Sequence, residues 1–120
     1  KDNWIKNKPV YIFGAGGAAE AIISFIYLAG SKDITIINRT IDNAKKIAKR
    51  YKGIKFVDTA KRTNFSEAGL IVNTTSLGMI GYPNLNIDLK RINKKAIIYD
   101  IVYNPIETDL IKKAQKQGLE

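Results

Sequence analysis

Histidine and cysteine are both absent from this chain of 120 residues, and their absence limits the chemistry that it can perform. Without cysteine there is no disulfide, no thiolate nucleophile and no Cys/His zinc site. Without histidine no imidazole can shuttle protons, which excludes a His-based triad or dehydrogenase base from these residues. We predict that any reaction the chain serves depends on Lys, Asp, Tyr or Ser, or on groups outside it.

Long apolar runs are also missing. The longest run, residues 21–29, is interrupted by Ser24 and is about half as long as a membrane span. The first residues, Lys1–Trp4, show no signal-peptide pattern. We therefore predict one domain over residues 1–120 of a soluble, cytoplasmic protein, with no membrane partner and no metal.

The charge balance is strongly basic, with 20 Lys and Arg against 11 Asp and Glu. The cations cluster in residues 45–52, 90–95 and 112–116. In the first and third groups they alternate with apolar residues at helical spacing, which is typical of solvated helix faces. Aromatic–basic interleaving, a zinc-finger pattern and a helix-turn-helix pattern are all lacking, so the sequence disfavours the alternative of a nucleic-acid partner.

Apolar strands alternate with helices along the chain. Strands are predicted at residues 8–13, 33–38, 54–57 and 69–73 and within 95–102, and helices at 17–28, 41–51 and 107–117. Residues 58–68 and 84–95 carry no clear signal. Strands that are apolar throughout are typical of a parallel sheet covered on both faces. With right-handed crossovers, this pattern predicts an α/β, doubly wound parallel sheet in the order 3-2-1-4-5.

A glycine-rich loop joins the first predicted strand to the first helix. It matches the pattern G-x-G-x-x-A and consists of Gly14, Ala15, Gly16, Gly17, Ala18 and Ala19. Gly14 permits a tight turn, and Gly16 lets a pyrophosphate approach the backbone without a Cβ in the way. The free N–H groups of the helix then face the phosphates. The alternative is a glycine turn selected only for tight packing.

The end of the second predicted strand bears on which dinucleotide would bind. NAD sites usually have Asp or Glu there, whereas this chain has Asn38, Arg39 and Thr40, and Asp33 is at the opposite end of the strand. Arg39 can pair with a 2′-phosphate or stack on adenine. The sequence therefore favours NADP, the alternative being an exposed arginine with no ligand.

Two more polar segments follow predicted strands, at residues 73–79 and 99–105. Their position at the carboxyl ends of parallel strands is where ligands of such sheets bind. Taken singly, each segment is explained more simply by structure: turn chemistry after Asn73, a cap or loop contact at Asp100, and ordinary packing of Tyr103.

Together, these four segments resemble the nucleotide-binding domain of shikimate dehydrogenase and its quinate/shikimate relatives. The matching segments are Gly14–Ala19, Asn38–Thr40, Asn73–Met79 and Tyr99–Pro105 followed by Glu107–Thr108. The resemblance implies NADP-dependent, reversible oxidation of shikimate to 3-dehydroshikimate. It implies that residues 14–18 hold the pyrophosphate and that Asn38, Arg39 and Thr40 hold the 2′-phosphate. It also implies that the backbone near Ile101 lies by the nicotinamide and that Tyr103 reaches toward the substrate.

The chain departs from the family pattern in two respects. Asn43 stands where the family often has a second basic residue, although Lys45 or Lys46 can partly substitute for it. The family's catalytic Lys–Asp pair belongs to an amino-terminal domain with no counterpart before Lys1, and its last strand and final helices have none after Gly118. We therefore expect the sheet to lack the last strand of the family, and the chain to bind NADP without turning over shikimate alone. A quinate- or amino-shikimate-type dehydrogenase domain and a non-catalytic nucleotide-sensing module remain alternatives.

Overall fold

The computed structural model describes residues 8–58, 63–75, 92, 95–100 and 109–116. Five strands and three helices lie within these ranges. In chain order they are β1 (Val10–Phe13), α1 (Gly17–Leu28), β2 (Ile34–Ile37), α2 (Ile41–Arg50), β3 (Lys55–Val57), β4 (Leu70–Asn73), β5 (Ile97–Asp100) and α3 (Asp109–Lys116). Every predicted element therefore has a counterpart. Helix α1 has the predicted bounds, and each of the other elements is slightly shorter than its sequence pattern suggested.

The strands form one parallel sheet in the order β3-β2-β1-β4-β5. This confirms the predicted doubly wound α/β architecture. The chain leaves β1 for β2 on one side and later returns to β4 on the other side of β1. The carboxyl ends of β1 and β4 are consequently neighbours at the point where the winding direction reverses, which is where ligands of such sheets bind. The expectation that the family's last strand is missing stays a prediction.

Alternation of side chains along the strands produces two hydrophobic clusters, one on each face of the sheet. On the first face, α1 and α2 pack over Val10, Ile12, Ile34 and Ile36, which are all fully buried. The opposite face carries a second cluster, which α3 joins through Ala114. Both faces of the central strands are covered, as a parallel sheet requires.

The segment before β4 carries a structural role that its composition did not signal. Phe65 is buried, and its ring meets Tyr11 edge-on at 4.9 Å between centroids and Phe13 at 6.1 Å. Ser66 donates its backbone N–H to the side-chain oxygen of Asn64, which shapes the turn. A lone aromatic residue in a polar stretch has no periodicity, so the pattern gave no strand or helix here.

Candidate functional site

Four strand ends meet at the carboxyl edge of the sheet. Phe13, the last residue of β1, is in register with Ile37 of β2 and with Asn73 of β4. Asn73 is in turn in register with Asp100, the last residue of β5. The glycine loop, the Asn38–Thr40 segment and the two polar segments after β4 and β5 therefore begin side by side. The predicted grouping of the motifs at one edge is what the register produces.

Gly14 forms the turn that leaves β1. Its φ is +111°, a conformation that side chains rarely adopt, and its N–H donates to the Ile37 carbonyl over 2.9 Å. A Cβ at this position would collide with the Thr74 hydroxyl. That hydroxyl donates to the Phe13 carbonyl over 2.7 Å. Packing and backbone conformation within the chain thus account for glycine at position 14.

Gly16 and Gly17 differ from Gly14 in backbone conformation and in the space around them. Neither has a positive φ, and a Cβ built on either would meet no atom within 4 Å. Gly16 is the N-cap of α1, and no side chain caps the helix there. Glu20 donates the first intrahelical N–H to the Gly16 carbonyl, over 3.0 Å. The N–H groups of residues 17–19 therefore point out of the helix, available to an anionic group.

The segment after β2 presents one cation beside the glycine loop. Asn38 donates from its side-chain amide to the Thr40 carbonyl over 2.8 Å, and its backbone N–H donates to the Val57 carbonyl. These bonds shape the turn into α2. Thr40 is the N-cap of α2 but makes no side-chain cap bond, and Arg39 is exposed. Arg39 takes part in neither of the two ion pairs found among the described residues.

A buried amide joins the ends of β4 and β5. The Asn73 side chain is fully buried and donates from Nδ2 to Oδ1 of Asp100 over 3.2 Å. Its Oδ1 accepts from the backbone N–H and the hydroxyl of Thr75, over 3.0 and 2.6 Å. The bonds to Thr75 fit the interpretation of Asn73 as turn chemistry. Asp100, predicted as a cap or loop contact, instead bonds to the last residue of the neighbouring strand.

The two ion pairs found among the described residues engage Glu20 and Asp33. Glu20, in the first turn of α1, pairs with Arg50 of α2, and this hydrogen bond raises the pKa of Arg50 above its ordinary value. Asp33 pairs with Lys55 over 2.6 Å at the amino end of β2. This Lys–Asp pair therefore lies about 13 Å along the strand from the candidate site. It cannot serve chemistry at the carboxyl edge.

Not every predicted site residue falls in the described ranges. Eight of them follow the ends of β1 and β2: Gly14, Ala15, Gly16, Gly17, Ala18, Asn38, Arg39 and Thr40. The other two, Ile101 and Tyr103, lie outside the described residues. Thr74 belongs to the segment Asn73–Met79 but was not predicted as a site residue; its hydroxyl fills the space above Gly14.

Two searches of the described residues gave negative results. No group of three potential metal-ligating side chains was found among them. Within the same ranges, no helix has the length and apolar character needed to cross a membrane.

The fold and the glycine loop define a Rossmann-like, doubly wound α/β domain. Residues 1–108 match the family model of shikimate/quinate 5-dehydrogenase, and the chain belongs to this family. The shikimate dehydrogenase (NADP(+)) of Chelativorans sp. is 42% identical over 118 residues, which cover 97% of this chain and 42% of the relative. The corresponding enzyme of Ruegeria sp. is 39% identical over 115 residues, which cover 94% and 42% of the two chains. The chain thus spans less than half the length of these relatives.

Solved structures give the same family. Shikimate 5-dehydrogenase from Listeria monocytogenes, in complex with shikimate and NAD, is 29% identical with a TM-score of 0.84, over 97% of this chain and 45% of that one. The Thermus thermophilus enzyme, in complex with NADP(H) and shikimate, is 28% identical with a TM-score of 0.77, over 96% and 42%. Quinate dehydrogenase from Corynebacterium glutamicum, in complex with NAD, is 27% identical with a TM-score of 0.81, over 94% and 43%.

Proposed function

We propose that this chain is the NADP-holding part of a shikimate dehydrogenase-type oxidoreductase. In such an enzyme the bound nicotinamide cofactor supplies hydride transfer. The chain's own residues bind and orient the cofactor: residues 14–18 hold the pyrophosphate, and Asn38, Arg39 and Thr40 hold the adenosine 2′-phosphate. The backbone near Ile101 would lie by the nicotinamide and Tyr103 would reach the substrate.

The observation that carries the proposal is the open space at Gly16 and Gly17. Gly14 is explained by its φ and by the Thr74 hydroxyl, whereas nothing in the described part of the chain requires glycine at 16 or 17. An uncapped helix N-terminus offers N–H donors and a partial positive charge at the same place. A phosphate that approaches the backbone closely accounts for both features.

The first experiment therefore targets Gly16. We expect NADP to bind the 120-residue chain in isothermal titration calorimetry, and Gly16→Val to weaken that binding at least tenfold because its side chain fills the phosphate space. The matched control is Ala21→Val, which enlarges an exposed position on the same helix and should leave affinity unchanged. The absence of binding by the unmodified chain at millimolar NADP would refute the proposal.

A second experiment asks which cofactor is preferred. The structures of relatives include complexes with NAD and with NADP(H). We propose that the residues after β2 select between the two cofactors in this chain. A charge-assisted hydrogen bond contributes about 1.5–3 kcal/mol, and we expect Arg39→Ala to weaken NADP by one to two orders of magnitude. NAD should be weakened less than about threefold, because it lacks the phosphate that the bond would engage.

The matched control for Arg39→Ala is Lys49→Ala, which removes a cation from the exposed last turn of α2. This change should affect both cofactors little. Equal losses of NADP and NAD affinity in Arg39→Ala would assign Arg39 no role in binding the phosphate. If Arg39→Ala and Lys49→Ala lose similar NADP affinity, the effect comes from the overall charge of the chain.

We further propose that the chain alone does not turn over substrate. The family resemblance assigns the catalytic Lys–Asp pair to another domain, and the Lys55–Asp33 pair sits at the amino edge of the sheet. Shikimate and NADP added to the chain should therefore form no NADPH by absorbance. Steady NADPH formation would contradict this part of the proposal. Quinate in place of shikimate is the alternative substrate, favoured by the likeness to the Corynebacterium quinate dehydrogenase fold.

A further inference from the structure

The peptide group between Phe13 and Gly14 is held at both of its polar atoms. Its N–H donates to the carbonyl of Ile37, the last residue of β2, over 2.9 Å. Its carbonyl oxygen accepts two hydrogen bonds from Thr74, one from the backbone N–H over 2.9 Å and one from the side-chain hydroxyl over 2.7 Å. Contacts from both sides of β1 therefore fix the peptide plane from which the glycine loop departs.

The hydroxyl of Thr74 adds a bond that the sheet itself does not require. The backbone N–H of Thr74 already gives the Phe13 carbonyl the hydrogen bond that continues the pairing of β1 with β4. A valine at position 74 would fill nearly the same space and keep that backbone bond, but it would lack the second donor. The hydroxyl thus contributes to the orientation of the peptide rather than to strand pairing or volume.

Thr74 is supported in turn from the β5 side of the sheet. The next residue, Thr75, binds Oδ1 of Asn73 through its backbone N–H and its hydroxyl. Asn73 is fully buried and also donates to Asp100 at the end of β5. The methyl group of Thr75 lies 3.3 Å from the point that a Cβ on Gly14 would occupy. The two threonines therefore pack directly against the glycine turn and are themselves held by hydrogen bonds.

We infer that Thr74 is a positioning residue for phosphate binding, which it serves through the Phe13–Gly14 peptide and without touching the ligand. Only Ala15 separates Gly14 from Gly16, the N-cap of α1, and the N–H groups that follow point out of the helix. A rotation of the Phe13–Gly14 peptide would therefore change where these donors lie. A loop already held in its binding conformation loses less freedom when the ligand binds, which raises affinity. This inference rests on the proposed function, because the phosphates are those of the proposed cofactor.

Three substitutions separate the hydroxyl from the shape of the side chain. Thr74→Val removes the hydroxyl and keeps the branched shape, whereas Thr74→Ser keeps the hydroxyl. Thr35→Val, the same change at an inner position of β2, is the matched control. The net contribution of one hydrogen bond corresponds to a factor of about three to ten, so we expect Thr74→Val to weaken NADP by that factor in calorimetric titration of the 120-residue chain. Thr74→Ser and Thr35→Val should each stay within about twofold of the unmodified chain.

A second ligand distinguishes positioning from a general effect on the fold. Adenosine 2′-monophosphate carries the 2′-phosphate but lacks the pyrophosphate, so it would engage the residues after β2 and not the glycine loop. We expect Thr74→Val to leave its affinity within about twofold. Comparable losses for NADP and for adenosine 2′-monophosphate would assign Thr74 to the stability of the fold and overturn the inference. Equal losses of NADP affinity in Thr74→Ser and Thr74→Val would overturn it as well, because the hydroxyl would then not be the cause.

Amide hydrogen exchange without ligand tests the contact separately from the proposed function. The Gly14 N–H belongs to the peptide that Thr74 holds, so Thr74→Val should speed its exchange about fivefold more than that of the Ile12 N–H within β1. Unchanged exchange at Gly14, or unchanged NADP affinity in Thr74→Val, would contradict the positioning role. If the unmodified chain binds no NADP, the proposed function fails and the inference fails with it, while the exchange at Gly14 still shows whether Thr74 holds the turn.

Discussion

Asn73 makes contacts on both sides of the β4 terminus. Its amide donates to Asp100 of the neighbouring strand, and its carbonyl oxygen accepts twice from Thr75. Because Asn73 is fully buried, water cannot replace these bonds. A buried polar group whose partner is removed costs about 1–3 kcal/mol, more than an ordinary hydrogen bond contributes. At this edge of the sheet, a single amide holds two strand ends and a turn in register.

We predict that Asn73→Ala lowers the free energy of unfolding by about 2–3 kcal/mol, because it leaves the Thr75 N–H without its acceptor and opens a small cavity. Urea unfolding followed by circular dichroism measures the change. Asn43→Ala, the same substitution at an exposed position, should cost less than about 0.5 kcal/mol. Similar values for the two variants would mean that the buried network contributes little.

The sequence predicted that polar residues stand at these strand ends, but not how they bond. Asn73 and Asp100 are 27 residues apart, and their contact depends on the register between β4 and β5. No local pattern contains that register. The positive φ of Gly14 followed from the tight turn expected there, whereas the collision with Thr74 depends on a contact across 61 residues of sequence.

At the scale of elements, α1 has sides of different character. Ala19, Ile23 and Ile26 face the sheet and are buried, as the three- and four-residue spacing of apolar residues predicts. The same spacing does not distinguish a face that packs within the domain from one that packs on something else. Phe25 and Leu28 are as apolar as the buried residues, yet 75% and 81% exposed. The helix and its bounds could therefore be predicted from the sequence, but its exposed apolar side could not.

The buried side and the exposed side of α1 should respond differently when a side chain is truncated to alanine. We predict that Ile23→Ala lowers the free energy of unfolding by about 2–4 kcal/mol, because it leaves a cavity in a fully buried site. Phe25→Ala on the same helix should change it by less than about 0.5 kcal/mol in the 120-residue chain. Chemical denaturation of both variants in parallel measures this contrast. A large cost for Phe25→Ala would mean that its ring is packed within the chain itself.

For the molecule as a whole, alternation of strands and helices was enough to predict the sheet order, because right-handed crossovers leave few topologies. It was not enough to predict which strand residues stay exposed: Tyr99 of β5 is 54% exposed, although its register partner Val72 is buried. The proposed ligand would act at this same scale, because the residues proposed to hold it follow both β1 and β2. Binding to the folded chain only must stabilise the whole cooperative unit.

We therefore predict that NADP raises the thermal midpoint of the chain. At a concentration of one hundred times the Kd, the added stability is about 2.7 kcal/mol, which shifts a domain of this size by several degrees. Thermal unfolding followed by circular dichroism measures the shift, and Gly16→Val should lose most of it. An unchanged midpoint at saturating NADP would conflict with the proposed binding.

The bond from the Thr74 hydroxyl to the Phe13 carbonyl has a consequence for the order of folding. Pairing of β1 with β2 closes a short stretch of chain, whereas pairing of β1 with β4 must first close a loop of about sixty residues, at a larger entropic cost. A chain that has paired only β1, β2 and β3 already contains the glycine loop, but Thr74 has not yet reached it. The loop proposed to hold the phosphates is thus completed by the most distant pairing in the centre of the sheet. If the proposal holds, a nascent chain should become competent to bind only after β4 has been synthesised and inserted.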